Sequence, residues 1–439
     1  MQFMYNIKKI GLSSQKPYRY KRSELKTLLK TGLISLLVLT IMVLSCSDDE
    51  NEPTPEDNQQ KVQDAVDSVR SSLESQLGNT VPSLNLIIQT PDDVIFVSSV
   101  PDTGTPVTRD TYFRFASNTK NFTATAILNM YEDGWLDYEA NITDTIPGSS
   151  IPYVPDTPEW DIPYKDEITI EQLLQHSAGV YDIDNDTVPG CGGMTYTEYI
   201  LGSDPWHQFT VDEFAEQLTS KNLYYYAPGS GYHYSNTGYA ILSRVIERVY
   251  TYQSSITKTY GDYLHDHITG GTSPVQLNAH FPVLATDSEL PDPHIYGTVY
   301  LPGDITEIYG DCNMSAQVGE GNGYGTLDNL HTYIRTLMQG ENVLSPTTVQ
   351  LMQTDVSVAN PDYGLGCLNK ENIGYGHNGA RIGNLSFMAY DPDDDVSIAV
   401  SLPLWDLTEG MDSFLKCFSA MYDAAYAARQ ELGYPGKPE

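Results

Sequence analysis

Apolar positions fall at two spacings along this chain. At Val62, Ala65, Val66, Val69, Leu73 and Leu77 they recur every three or four residues, the interval that stacks side chains on one face of a helix. Leu84 to Gln89 and Val94 to Ser99 read instead as two short strands. Near the other end, Phe387 to Tyr390 and Val396 to Leu402 flank the turn Asp391-Pro392-Asp393-Asp394-Asp395, which predicts an antiparallel hairpin. Met411, Phe414, Leu415, Phe418, Met421, Tyr422 and Ala425 then mark a closing helix. Between the two ends, from Ser117 to about residue 270, the pattern is mostly helical with tyrosine-rich loops. The economical assembly is an α/β (α+β) fold: an antiparallel sheet built from both chain ends, flanked by helices, with a mostly helical lobe inserted between them.

The N-terminal segment has a different character. Its first thirty residues carry Lys8, Lys9, Lys16, Arg19, Lys21, Arg22, Lys26 and Lys30, and an apolar run of 12 residues follows, Leu33 to Leu44. That run is well short of the ~20 residues a membrane-spanning helix needs, so residues 1–45 read as a signal peptide. The run stops at Leu44-Ser45-Cys46, which resembles a bacterial lipoprotein signal, with Cys46 as the lipidated new N-terminus. An uncleaved anchor with an incidental cysteine is the alternative. The expected location is therefore outside the cytoplasm, lipid-anchored to a bacterial membrane on its periplasmic or surface face. Residues 46–60 lack large apolar side chains and read as an acidic, solvated tether, leaving 61–439 as one folded domain.

Composition narrows the partners. Against 24 Lys+Arg stand 58 Asp+Glu, a formal charge of −34, which repels phosphate backbones and anionic lipid headgroups and sets nucleic-acid binding aside. Cys191, Cys312, Cys367 and Cys417 lack metal-ligand spacing, and both a structural disulfide and plain buried thiols fit them. His265-Asp266-His267 ends a helix-like stretch and reads as surface, so neither metal nor cofactor is expected.

A serine nucleophile needs a base in reach and donors for the oxyanion. The chain has no G-x-S-x-G elbow. Serine and lysine three apart occur at Ser13/Lys16, Ser23/Lys26, Ser117/Lys120, Ser255/Lys258 and Ser413/Lys416. The first two lie in the export segment, and the last falls in the closing helix at a position read as solvated. Ser117 differs: it follows the strand-like Tyr112-Phe113-Arg114-Phe115-Ala116 and opens a helical run through Phe122, Ala126, Ile127 and Met130. At that junction unpaired N–H groups and the helix dipole favour an alkoxide and an oxyanion. Read blandly, Ser117 is a helix cap and Lys120 an exposed lysine. Tyr234-Ser235-Asn236 is the sole Tyr-x-Asn in the chain, ahead of a helical run from Tyr239 to Val249, and nearby lysine would lower the tyrosine pKa. His377-Asn378-Gly379 leads toward the C-terminal hairpin, its glycine allowing substrate or backbone a close approach. Lys30-Thr31-Gly32 offers a related pattern but sits in the export segment.

In that order, Ser117-x-x-Lys120, Tyr234-x-Asn236 and His377-x-Gly379 resemble the three active-site motifs of the serine β-lactamase and penicillin-binding-protein superfamily, in its class C and D-alanyl-D-alanine carboxypeptidase branch. Phe113 to Asp137, Ile168 to Gly179, Pro228 to Gly238, Tyr363 to Gly366 and Gly374 to Gly379 look like further landmarks. The resemblance implies that Ser117 is acylated while Lys120 and Tyr234 share the proton work. It implies that Asn236 holds the substrate amide, that His377 supports Tyr234 or a substrate carboxylate, and that the N–H groups of Ser117 and Ala380 form the oxyanion hole. The third motif departs from the class C pattern, with His377 for lysine and Asn378 for threonine, which points toward peptidase or esterase relatives and puts hydroxyl recognition of a carboxylate in doubt. Tyr181 to Phe209 is expected to be a long loop near the cleft, with Tyr225, Tyr226, Tyr232 and Trp206 as candidate lining. The expected substrate is a small cell-wall-like peptide or an ester; a non-catalytic surface binding protein is the rival of another class.

Overall fold

The computed structural model describes residues 55–438, apart from 103 and 105. The signal segment, Cys46 and the tether up to residue 54 lie outside the described residues. The end of the expected tether is helical: α1 spans Pro55–Leu77, so Pro55 to Gln60 belong to the folded body. Contacts with the sheet outweigh their polar composition. Asn58 Nδ2 donates to Asp93 at 2.7 Å and Gln59 Nε2 donates to the Phe96 carbonyl at 2.9 Å.

The first strands are β1 (Leu84–Gln89), β2 (Val94–Ser99) and β3 (Tyr112–Arg114), followed by helix α2 (Thr119–Glu132). The inserted lobe adds α3 (Ile170–Leu174), α4 (Tyr196–Leu201), α5 (Val211–Lys221) and α6 (Asn236–Ser254). The chain returns through β4 (Gly297–Leu301), β5 (Ile305–Tyr309) and β6 (Tyr324–Thr326), with α7 (Leu327–Met338) and α8 (Pro346–Thr354) behind them. It closes with β7 (Leu368–Lys370), β8 (Gly374–Arg381), β9 (Asn384–Asp391), β10 (Val396–Leu402), β11 (Leu404–Asp406) and α9 (Met411–Glu431).

The main sheet runs β2-β1-β10-β9-β8-β7, antiparallel throughout, so strands from the two chain ends meet where β1 pairs with β10. This is the expected α/β (α+β) architecture. Alternation along the strands builds two cores. Leu86 and Ile88 of β1 and Val400 of β10 join Val66, Leu73, Phe414 and Met421 under α1 and α9. Ile87 and Ala399 face the other way, toward Phe122, Ile127 and Tyr239 of the inserted lobe. The hairpin strand β9 begins at Asn384, earlier than the Phe387 its apolar pattern suggests, because Asn384 to Ser386 still pair with β8.

Several local expectations change. The strand-like run at Tyr112 to Ala116 is a strand only to Arg114, paired with β6, and then bends. All four described cysteines are buried free thiols, so the disulfide alternative fails. Ser413 is buried, donating to the Asp406 carbonyl at 2.9 Å, while its neighbour Lys416 faces out to Glu409.

Candidate active site

The site begins with a bend. Ala116 has φ +51, a left-handed conformation that strains a residue with a Cβ by about 1–3 kcal/mol, and Ala116–Asn118 forms one 3₁₀ turn before α2. Side chains over-determine this turn. Asn118 Nδ2 donates to the Phe115 carbonyl (3.0 Å) and to Ser386 Oγ (2.8 Å), and Ser386 Oγ also reaches that carbonyl at 3.0 Å. Thr119 Oγ1 donates to the Ala116 carbonyl at 2.7 Å and accepts from Gly323 N at 3.0 Å. Ser117 is thereby held half-buried at the cleft, and one helical turn brings Lys120 beside it.

Lys120 is fully buried. Its Nζ lies 3.2 Å from Ser117 Oγ, 2.7 Å from Asn236 Oδ1, 2.8 Å from the Glu320 carbonyl and 3.4 Å from Glu320 Oε2. A neutral amine has two hydrogens, so this set of acceptors fits an ammonium. Burial alone pushes that ammonium toward losing its proton, but Tyr234, Glu320 and Asp182 outweigh it and hold the pKa above the ordinary lysine value.

Tyr234 and Asn236 arrive from the start of α6. Ser235 between them caps the helix, its hydroxyl accepting from Gly238 N at 3.1 Å, which aims both neighbours at Lys120. The Lys120 amine sits 4.8 Å from the centre of the Tyr234 ring. The expected lowering of the Tyr234 pKa does not occur: burial disfavours the phenolate by more than Lys120 and Ser117 favour it, so the pKa rises. Asn236 is also committed differently from expectation. Its Oδ1 is taken by Lys120, its Nδ2 donates to Asp184 at 3.2 Å, and its backbone N donates to Asp182 at 2.9 Å. It holds the Lys120 amine and also lines both cavities beside Ser117, with one Nδ2 hydrogen not used in these bonds.

His377 is likewise occupied. The bonds run in one direction from Ser235 N–H to His176 Nδ1 (3.1 Å), His176 Nε2 to the Tyr363 hydroxyl (3.2 Å), that hydroxyl to His377 Nε2 (2.9 Å), and His377 Nδ1 to the Asn378 carbonyl (2.6 Å). Both fixed ends demand this order, which assigns the Nε2–H tautomer to His176 and the Nδ1–H tautomer to His377. Burial and Lys120 keep both rings neutral, pushing His377 down to about 3 and His176 well below its usual value. His377 therefore offers no cation to a carboxylate, and its ring lies 6.4 Å from that of Tyr234. Arg381, at the end of β8, brings a cation to the lining of the cleft.

Gly379 serves protein packing. β8 lies directly on the Ser117 turn, so of the close approaches foreseen, by substrate or by backbone, the one made is by the Phe115 backbone. Ser117 and Ala380 border both arms of the cleft. One arm, about 460 Å³, is lined by Asp184, Glu198, Tyr199, Glu320 and Arg381; the other, about 430 Å³, by Asn378, Tyr232, Tyr363, Met411, Phe414 and Leu415. The stretch Tyr181 to Phe209 does border the first arm, yet it is partly helical through α4. Of the four aromatic candidates, Tyr232 lines the cleft. Tyr225 stacks on Tyr181 and bonds Asp186, Tyr226 bonds the His176 carbonyl, and Trp206 is solvent-exposed. His265 is exposed as expected, while His267 stacks on Tyr263.

Sequence reasoning missed Glu320, Asp182, Asp184 and Arg381. Burial and the neighbouring Asp184 push Asp182 up to about 6. His176 and Tyr363 lay inside quoted landmarks without being assigned a role. Glu320 had no signal beyond its glycine-rich surroundings, Gly319-Glu320-Gly321.

Known proteins resemble this chain in sequence or in fold. Penicillin-binding protein 4* of Bacillus subtilis (strain 168) is 24% identical over 274 residues, covering 60% of this chain and 53% of its own length. Esterase EstB of Burkholderia gladioli is 32% identical over 148 residues, 34% of each chain. This chain thus spans about half the length of the first relative and a third of the second. D-amino acid amidase from Ochrobactrum anthropi SV3 shares the fold with a TM-score of 0.65 at 19% identity, covering 85% of this chain and 99% of its own. Residues 69–409, from α1 through the last strand, match the Beta-lactamase family, so the chain belongs to that family and to the serine β-lactamase and penicillin-binding-protein superfamily its motifs resemble.

Proposed function

We propose that this chain is a serine hydrolase that forms an acyl-enzyme on Ser117 and acts on amide bonds of small D-residue peptides, in the manner of a D-alanyl-D-alanine carboxypeptidase. One observation carries the reading: the buried Lys120 amine stands 3.2 Å from Ser117 Oγ and 4.8 Å from the centre of the Tyr234 ring. In this reading the Lys120–Tyr234 pair first loses one proton to solvent. The pair then takes the Ser117 hydroxyl proton as Oγ adds to the substrate carbonyl. The N–H groups of Ser117 and Ala380 receive the oxyanion. When the C–N bond breaks, Tyr234 protonates the leaving amine and recovers a proton from Lys120. Water then adds to the acyl carbonyl and gives one proton to the same pair; the C–Oγ bond breaks, the pair returns that proton to Ser117 Oγ, and the acid product leaves.

Arg381, lining the cavity beside Ala380, supports a substrate with a free carboxylate. A second reading, an esterase, is favoured by the apolar arm with Met411, Phe414 and Leu415 and by the local similarity to EstB. Labelling the full chain with a fluorescent penicillin, with S117A as control, tests the acyl-enzyme. Stable label lost in S117A supports a penicillin-binding protein, and rapid turnover of the label supports a β-lactamase. Release of D-alanine from a wall-peptide mimic, against hydrolysis of a chromogenic ester, separates peptidase from esterase; neither activity leaves a non-catalytic binding protein. The apolar run ending at Cys46 supports export and lipid anchoring, which C46S tests by loss of fatty-acid incorporation.

A further inference from the structure

Glu320 stands apart from the motifs. Its carboxyl is buried, Oε2 faces Lys120 Nζ at 3.4 Å, and Oε1 has no hydrogen-bond partner among the described residues. A buried carboxyl oxygen left unpaired opposes folding, so its presence beside the lysine calls for a reason. The turn that carries it is fixed from two sides. Gly319 has φ +82, and a Cβ there would lie 2.6 Å from Ser243 Cβ and 2.7 Å from the Tyr239 carbonyl, so the turn is seated on α6. Thr123, one turn along α2 from Lys120, donates to the Gly319 carbonyl at 2.6 Å, and Glu320 N donates to the Gln317 carbonyl at 3.1 Å. The helix that supplies Lys120 therefore also places the residue that grips it.

We propose that Glu320 is a positioning residue for the hydrolase reaction: its carbonyl and carboxylate hold the Lys120 amine against Ser117 and govern how tightly that amine keeps its proton. This rests on the serine-hydrolase reading above. The other titratable groups facing Lys120 are Tyr234, Tyr239, Asp182, Asp184, His176 and His377. Burial, with Asp184 and Asp182 adding to it, outweighs the pull of Lys120 and raises the Glu320 carboxyl well above its ordinary value, while across the 3.4 Å contact Glu320 in turn raises Lys120. An anion beside an ammonium strengthens the ammonium's hold on its proton, so removing the anion lets the amine become a base at lower pH.

The test is the pH dependence of covalent labelling of the full chain, in detergent, by a fluorophosphonate. Ser117 Oγ attacks phosphorus, fluoride leaves, and the serine proton goes to the Lys120–Tyr234 pair, so no particular substrate is assumed. In E320Q the acid limb of the labelling rate is expected to move down by about one pH unit or more, so that well below the limb labelling is about tenfold faster relative to the plateau. E320D, which keeps a carboxylate, should lie between E320Q and wild type, whereas loss of mere packing would lower the rate without moving the limb. An E320Q limb superimposed on wild type, or displaced upward, overturns the inference. Should E320Q not fold, E320D decides by the same criterion, since its retracted carboxylate must also lower the limb. Wild type that takes no label at Ser117 overturns the hydrolase reading and this inference together; labelled wild type with unmoved variants overturns the inference alone.

Discussion

Gly379 and Phe115 touch so closely that a Cβ on the glycine would lie 2.2 Å from the phenylalanine carbonyl oxygen. It would also lie 2.7 Å from Ser386 Oγ and 2.9 Å from Asn118 Nδ2, the two groups that bond that carbonyl. The third motif thus acts on the first through backbone contact. G379A is expected to push the Ser117 turn out of place, lowering the Ser117 labelling rate by about 100-fold. Its stability should fall by about 1–3 kcal/mol. Labelling kinetics and urea denaturation read the two effects separately.

Lys120 and Tyr234 share one proton in the proposed reaction, so their variants should not add. K120A and Y234F are each expected to slow acylation by about 10²–10⁴-fold, and the double variant should be little slower than the worse single one. Strict multiplication of the two losses in single-turnover labelling would show that the two groups act independently.

The two buried histidines of the site, with His331 buried elsewhere and pushed down to about 4, make stability depend on pH in a definite direction. His377 and His176 stay neutral in the fold, with His377 down at about 3, whereas an unfolded histidine takes a proton near pH 6.5. The unfolded chain therefore binds more protons between those values. The contribution is complete above about pH 6.5 and declines as pH falls, by about 1.4 kcal/mol per unit and per histidine. Urea midpoints measured from pH 7 to pH 5 should fall, and H377Q should remove part of the slope. A slope unchanged by H377Q would contradict the neutral assignment.

The four described cysteines should behave as buried thiols of unequal reactivity. Burial pushes Cys367 and Cys417 up to about 12 and raises Cys191, so these thiols remain protonated. Cys312 is also opposed by burial, but Arg114 and Arg381 outweigh it and favour its thiolate. Slow alkylation of the native protein, followed by peptide mapping, should modify Cys312 first and the other three only on unfolding. Reducing agent should leave the melting temperature unchanged, since none of the four is paired.

Much of this molecule is legible along the chain. The strands Leu84 to Gln89 and Val94 to Ser99 and the closing helix follow from the period of their apolar residues, a local property set by which face is buried. The three motifs are local too, because one helical turn suffices to bring Ser117 and Lys120 together. The extra turns of α1 are not, since Asn58 and Gln59 are ordered by Asp93 and Phe96 across the fold.

The charge states of the site belong to the tertiary structure. Lysine near a tyrosine suggests a lowered tyrosine pKa, yet burial of Tyr234 reverses the direction. The commitment of Asn236 to Lys120 and Asp184, and of His377 to Tyr363, depends on which acceptors the fold delivers to each ring or amide. Glu320 reaches Lys120 across 200 residues of chain. Periodicity and short motifs record what a residue's near neighbours require. Desolvation and Coulomb forces depend on distance in space, and only the packed fold sets those distances.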